Sequence, residues 1–262
     1  MTAVTGRRRV IAITGGGGGI CSEVARAFAD DGATVAILDA SLDKAEAAAE
    51  NIGISAGSAH PCQVDVSEEE SVRRVVNAVG EDLGGIDVLV NGAAIICRSD
   101  ILEPSTAEWR RTIDVNLTGT FLMCQAAAPT MAPGSSIVNI GSINAMRHNP
   151  SIVAYGVSKA GVAALTQALA VALAPRGIRV NAVIGGHVLT DFSRARLGVP
   201  VERVRVEKSI PMGHLGDPRD FATAIRFLSG PDSTWVTGAM LPVDGGWLAA
   251  DTTALNHEQG HC

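Results

Sequence analysis

Ser142, Tyr155 and Lys159 are residue types that together can move a proton to or from an alcohol or ketone oxygen. Tyr155 and Lys159 stand at i and i+4, which on a helix puts them on one face, a turn apart. A phenol titrates near pH ~10 and is a poor acid or base at neutrality. A cation one turn away favours the phenolate, so the spacing predicts a lowered tyrosine pKa. A serine hydroxyl from elsewhere in the chain could bond the same substrate oxygen, completing a set suited to general acid–base catalysis. The Tyr-x-x-x-Lys pair alone is common, and its meaning depends on the elements that must position it.

Those elements read as alternating strands and helices. An apolar run at 10–13 ends in Thr14 and five glycines, Gly15 to Gly19. A helical pattern of Ile20, Val24, Ala27 and Phe28 follows. Strand, glycine turn and helix are the context for binding a pyrophosphate, because glycines permit close approach and the helix N-terminus offers free N–H groups. The same run standing alone would be only a flexible loop. A second strand at 34–38 ends in Asp39. An acid there accepts hydrogen bonds from the adenosine ribose hydroxyls of NAD and repels the 2′-phosphate of NADP. No Arg or Lys lies at 15–20, 40 or 41, and Ser41 suits a helix N-cap better than Asp39 does. NAD is therefore the expected cofactor.

Further along, a helix is predicted over 43–52 and a strand over 59–64, demoted towards the sheet edge by Pro61. Ser67 with Glu70 reads as a capping box for a helix bearing Val72, Val75, Val76, Val79 and Leu83. Asp65 has two open readings, a loop or capping residue and a contact to the adenine. A strand at 86–90 leads to Asn91-Gly92-Ala93-Ala94, small enough for a cofactor to lie over its end. One long helix is expected over 106–131. Asn116 near its middle is a poor helix-interior residue and predicts a kink or a buried hydrogen-bond role. Strands at 136–140 and 178–183 flank a helix over 155–174, with Ser142 just past the first of them. The pattern implies an α/β fold with a parallel, doubly wound sheet in one domain over 1–262.

Composition narrows the class. The chain has 262 residues, is 47% hydrophobic and 18% charged, and carries a net charge of −6. That balance argues against general nucleic-acid binding and against an anionic membrane surface. The apolar stretch at 160–174 is too short to span a bilayer and reads as a buried helix. An odd number of irregularly spaced cysteines, 5, suits a reducing compartment, so cytoplasm is expected. The end of the chain spells His257-Glu258-Gln259-Gly260-His261, formally a zinc-protease pattern, but it lacks the apolar helical context of a metal site and none is expected.

The ordered set of Thr14-Gly15-x-x-x-Gly19-Ile20, Asp65-Val66, Asn91-Gly92-Ala93-Ala94, Asn116, Ser142, Tyr155-x-x-x-Lys159 and 179–183 resembles the classical short-chain dehydrogenases/reductases. Thr237-Gly238 and Leu241-Pro242-Val243-Asp244-Gly245-Gly246 resemble that family's C-terminal signature, so the likeness runs from about residue 8 to 248. It implies a Rossmann-type three-layer domain with a seven-stranded parallel sheet and a catalytic tetrad of Asn116, Ser142, Tyr155 and Lys159. In it Tyr155 is the acid/base, Lys159 holds the nicotinamide ribose, Ser142 orients the substrate oxygen and Asn116 anchors a water. The implied cofactor contacts are Gly15, Gly17, Gly18, Gly19, Ile20, Asp39, Asp65, Val66, Asn91, Gly92, Ala93, Tyr155, Lys159, Gly186, Val188 and Thr190. Substrate contacts are expected from Ser142, Asn144, His148, Tyr155 and His187, with Ile96, Met146 and Val188 nearby, although either histidine could be an ordinary pocket or surface residue. Residues 190–212 would form a lid whose arginines either meet an anionic or carbohydrate substrate or simply face solvent, and 249–262 a tail.

Three departures from the family pattern stand out. Cys21 replaces the third glycine of the fingerprint, Gly92 and Ala94 replace an Asn and a Gly, and Gly185-Gly186 replaces Pro-Gly. A slight helix shift is expected from Cys21, and added flexibility from Gly185. The resulting expectation is an NAD-dependent oxidoreductase for a secondary alcohol or ketone (a polyol, sugar-derived or cyclic one), forming a homo-oligomer, tetrameric by the family likeness. The alternatives are a 3-oxoacyl thioester reductase and a catalytically idle NAD-binding sensor or structural subunit.

Overall fold

The computed structural model describes residues 8–52, 57–98, 102 and 105–250. Its frame is a seven-stranded, all-parallel sheet in the order β3-β2-β1-β4-β5-β6-β7. The strands are β1 (Val10–Thr14), β2 (Thr34–Asp39), β3 (Ser58–Gln63), β4 (Val88–Asn91), β5 (Ser136–Ser142), β6 (Arg179–Gly185) and β7 (Met240–Val243). Pro61 lies in β3, an edge strand, as its missing N–H requires. The helices are α1 (Gly19–Asp30), α2 (Leu42–Ile52), α3 (Glu69–Leu83), α4 (Thr106–Ile113), α5 (Gly119–Ala127), α6 (Val153–Leu173), α7 (Asp191–Leu197), α8 (Pro200–Glu207) and α9 (Pro218–Ser229).

Side chains of a strand alternate between faces, and the two cores follow that alternation. Ile11, Ile13, Val35 and Ile37 join Val24, Phe28, Phe221 and Ile225 on one face. Val10, Ala12, Ala36 and Leu38 join Val72, Val76, Met123 and Ala170 on the other. The chain runs outward through β1, β2 and β3, then crosses back to β4 beside β1. That reversal opens a crevice at the carboxyl ends of β1 and β4, the place where such sheets bind ligands.

Three local expectations are corrected. The helix expected over 106–131 is interrupted by a π-helical turn, Asp114–Thr118, between α4 and α5, and Asn116 lies in it with its side chain buried and hydrogen-bonded. Ser67 does not cap α3, whose N-cap is Glu68. Ser67 instead donates its N–H and its hydroxyl to Asp65 Oδ1, at 2.9 and 2.6 Å, the loop reading of Asp65. Helix α6 has 21 residues, and with its flanking turns it is long and apolar enough to cross a membrane. Its inner face nevertheless buries Ser158, Lys159 and Thr166 in hydrogen bonds to the protein, and it packs on β5 and β6.

Candidate active site

The first half of the site is the turn after β1. Gly15 and Gly19 take φ of +67° and +57°, the left-handed region that favours glycine. A Cβ on Gly15 would stand 3.0 Å from the Ala93 backbone, while one on Gly18 would meet nothing within 4 Å. A Cβ on Gly19 would face Thr190 at 3.6 Å. The turn thus backs onto β4 and opens towards Thr190, leaving a narrow slot. Helix α1 begins there without a side-chain cap and without an acid in its first turn, so its N–H groups and positive dipole end are free for an anion. These features fit the diphosphate of a dinucleotide. Thr14 Oγ1 accepts from Gly92 N and Ala93 N at 3.0 and 3.2 Å and holds the β4 end against the turn.

Asp39 closes the far end of the slot. Its Oδ2 accepts from Gly17 N at 3.1 Å and its Oδ1 from Ser41 N at 3.1 Å. A carboxylate has about four acceptor sites, so capacity remains for ribose hydroxyls. Lys44, which sequence reasoning missed, begins here too. A Cβ on Gly17 would stand 2.7 Å from Lys44 Cβ and 2.9 Å from Asp39 Oδ2. Only the register of α2 brings a residue this far past Asp39 back to the turn. Asp65 lines a groove of about 470 Å³ with Ala40, Gln63, Glu68 and Arg74, and Val66 is buried.

The second half of the site gathers at the ends of β5 and β6. Ser142 is the last residue of β5, paired in register with Gly185, so Gly185 is a strand residue and not a loose joint. Ser142 Oγ accepts from Asn144 N and Asn144 Nδ2, both at 3.2 Å. Tyr155 is buried with its side chain towards Ser142. Lys159 is buried and donates to Ile140 O at 2.7 Å. That uses one of its three donors, and its Nζ lies 5.8 Å from the Tyr155 ring centroid.

The expected lowering of the tyrosine pKa is overturned in this arrangement. Burial pushes the Tyr155 pKa above its ordinary value, and the neighbouring Ser142 offsets this only in part. Lys159 sits over the ring rather than on the phenol oxygen, and burial lowers its own pKa to about 8. Desolvation disfavours the charged form of both groups, an effect that sequence spacing cannot register.

Asn116 is fully buried in the π turn. Its Oδ1 accepts from Ile95 N at 2.8 Å, and its Nδ2 donates to Ile95 O at 2.9 Å and to Ser158 Oγ at 3.0 Å. Ser158 Oγ in turn donates to Tyr155 O at 2.7 Å. Asn116 therefore ties the stretch after β4 to the turn of α6 that carries Tyr155. Asn116→Ala leaves the N–H and C=O of Ile95 unpaired, and each such group costs ~1–3 kcal/mol. A loss of about 2–4 kcal/mol is expected, read as a fall in Tm of roughly 5–12 °C; an unchanged Tm would contradict this role.

Around this centre lie less regular walls. Phe192, at the start of α7, packs on Tyr155 with ring centroids 5.9 Å apart. His187 meets Trp247 edge-on at 5.6 Å. Burial and Arg196 hold His187 down to about pH 4, so it is neutral in the working range. His148 is exposed on the loop before α6. The arginines of 190–212 pair mainly with their neighbours: Arg194 with Asp191 and Arg203 with Glu207, each at 2.9 Å, and Arg196 and Arg205 with Glu202 at 3.8 and 3.7 Å. This favours the solvated reading of those charges. Phe192 and Trp247 were missed as wall residues. The signal for Trp247 was its rarity, one of 3 tryptophans, immediately after Asp244-Gly245-Gly246. His257 to His261 lie outside the described residues.

Comparison with known proteins places the whole arrangement. Residues 16–248 match the family described as enoyl-(acyl carrier protein) reductase. The chain is 37% identical over 243 residues to 3beta-hydroxysteroid dehydrogenase 1 of Eggerthella lenta, covering 91% of this chain and 93% of that protein. It is 36% identical over 245 residues to L-rhamnose 1-dehydrogenase (NAD(P)(+)) of Azotobacter vinelandii, covering 91% and 96%. The structure of a short-chain type dehydrogenase/reductase from Mycobacterium ulcerans superposes with a TM-score of 0.89 at 29% identity, over 98% of this chain and 99% of that one.

Proposed function

Since the chain belongs to the short-chain dehydrogenase/reductase family, we propose that it transfers a hydride between a secondary alcohol or its ketone and NAD, with Tyr155 as the acid/base. The observation that carries this reading is the convergence of buried Ser142, Tyr155 and Lys159 at the end of β5 and the first turns of α6. The family's nicotinamide cofactor would supply the hydride acceptor, and the positive charge of its oxidised ring would favour a phenolate beside it.

The chain's own groups do the rest. Tyr155 takes the alcohol proton in oxidation and returns it in reduction. Ser142, aligned by the two donors of Asn144, holds the substrate oxygen. Lys159 keeps two donors for the nucleotide ribose while its first is anchored on Ile140 O. The Gly15–Gly19 turn and the start of α1 would hold the diphosphate, Asp39 the adenosine ribose, and Gly186, Val188 and Thr190 the nicotinamide side. Residues 190–212 act as the lid, with Phe192 over Tyr155. Relatives named for a steroid and for a sugar support a carbinol substrate. The direct test is NADH formation over a panel of cyclic, polyol and open-chain secondary alcohols, run beside reduction of a 3-oxoacyl thioester. Binding of NAD without turnover of any of them would favour the idle-subunit alternative.

Cofactor choice rests on Asp39. Its charge would oppose a 2′-phosphate. Asp39→Ala is expected to raise the NADP/NAD affinity ratio roughly tenfold or more, the scale of a charge-assisted hydrogen bond. Fluorescence titration with both dinucleotides measures it, and a wild type that prefers NADP would end the NAD reading.

Assembly is a separate expectation. Phe121 on α5, and Val157 and Val171 on α6, are exposed apolar side chains, Val171 at 78%. A tetramer would cover such faces. Light scattering should give about four times the 27.0 kDa chain; a monomer would remove the expectation. The free thiols among the described residues, Cys21, Cys62, Cys97 and Cys124, suit a reducing cytoplasm.

A further inference from the structure

Trp247 is the point where the outer wall of the cleft is tied together. Its indole N–H donates to Ser209 Oγ at 3.2 Å, at the end of the lid. Its ring receives His187 edge-on, planes at 90°. Arg147, from the loop between β5 and α6, lies over the same ring at 5.7 Å and donates onward to Ala250 O at 3.1 Å. Asp244 fixes the turn that presents the indole by accepting from Gly246 N and Leu248 N at 2.9 and 2.8 Å. One side chain therefore joins the lid, the β5–α6 loop and the end of β6.

The residue held most closely by this arrangement is His187. It stands two residues beyond Gly185, the strand partner of Ser142. Its main-chain carbonyl is pinned by Gly216 N at 2.9 Å. Among the described residues neither ring nitrogen has a hydrogen-bond partner, and a neutral imidazole offers one donor and one acceptor. Trp247 packs against the imidazole, and Phe192 covers Tyr155, so the neighbouring rings are flat and apolar. A group so placed can read an oxygen on the far side of a hydrocarbon ring whose near carbinol lies at Ser142 and Tyr155.

Resting on the function proposed above, we propose that Trp247 is a positioning residue that sets the His187 imidazole as hydrogen-bond partner for a second oxygen of a cyclic substrate. The enzyme then selects ring alcohols that carry an oxygen across the ring from the reacting carbinol. Trp247 acts through His187 and does not touch the reacting atoms.

The test compares kcat/KM for 1,4-cyclohexanediol and cyclohexanol with NAD. Wild type should favour the diol about tenfold or more, chiefly through KM, the worth of one well-placed hydrogen bond. His187→Leu and Trp247→Ala should each lower the diol/mono-ol ratio roughly tenfold. Trp247→Phe, which keeps an aromatic edge contact, should hold the ratio within about threefold of wild type. The double variant should fall no further than His187→Leu alone, since both act through one contact. Should Trp247→Ala fail to fold by thermal unfolding, Trp247→Leu takes its place. A wild-type ratio near one, unchanged ratios in the variants, or additive losses in the double variant would each overturn the inference. Turnover of open-chain alcohols without either ring would overturn it too, while leaving the proposed reaction standing.

Discussion

Replacing Tyr155 by phenylalanine is expected to lower kcat for alcohol oxidation by roughly 10²–10⁴-fold, the range for loss of a positioned general acid/base. The ring that packs on Phe192 and lies under Lys159 stays in place. What goes is one oxygen, the one that faces Ser142. Dinucleotide affinity and Tm should therefore change little, and KM should move far less than kcat. Oxidation needs the phenolate to accept a proton, so its rate should climb with pH. Reduction needs the phenol to donate, so its rate should fall over the same range. Because burial holds the Tyr155 pKa above its ordinary value, the oxidation limb should still be rising well above neutrality. Lys159, lowered to about 8, loses its charge within that limb and should flatten it. In Tyr155→Phe the residual activity should show neither slope. Stopped-flow hydride transfer in both directions measures this directly. Wild-type turnover in the phenylalanine variant would remove the acid/base role.

The parts of this site that the sequence made legible are those set by short-range geometry. A strand, a glycine turn and a helix start lie together in 10–20, and the Tyr–Lys spacing makes one helical face wherever that helix packs. Asn116 was legible as an anomaly, and it sits in the π turn, bonded to Ile95 and Ser158. The misses depend on what comes near from elsewhere. Spacing put a cation beside a phenol but not both beneath enough protein for desolvation to prevail. Ser67 had the right neighbour at Glu70, yet Asp65, two residues earlier, competes for its hydroxyl. Lys44 reaches the glycine turn only because α2 starts three residues past Asp39, at Leu42. Trp247 reaches His187 only because β7 pairs with β6 and returns the chain to that edge.

Two departures from the family pattern, Cys21 and Gly92, look independent in the sequence and prove to be neighbours. The Cys21 sulfur is buried against the first core, and burial pushes its thiol pKa up to about 12, so it is a neutral filler. A Cβ built on Gly92 would overlap that sulfur, and would also stand 3.0 Å from Thr14 O and 3.1 Å from Ile140 Cδ1. The sulfur thus occupies the space that a side chain at 92 would need. Room for Cys21 comes from the missing Cβ, which answers the expected helix shift with a local exchange of volume. Gly92→Ala is therefore expected to destabilise by about 1–3 kcal/mol, the cost of overpacking a filled core. That corresponds to a Tm loss of roughly 2–10 °C. The sulfur has little freedom to turn aside, since a helix restricts χ1. The strain should reach the cofactor slot, because Gly92 N is held on Thr14 and the adjoining Ala93 backbone is what a Cβ on Gly15 would meet; dinucleotide affinity should fall with stability. Cys21→Gly alone should also destabilise, by a cavity and by roughly 0.3 kcal/mol of helix propensity. Together the two changes should cost less than the sum of their single costs, because each supplies what the other lacks. A double-mutant cycle by chemical denaturation reads that coupling as a difference of about 1 kcal/mol or more. Strict additivity would mean that the two residues, though in contact, do not share their space.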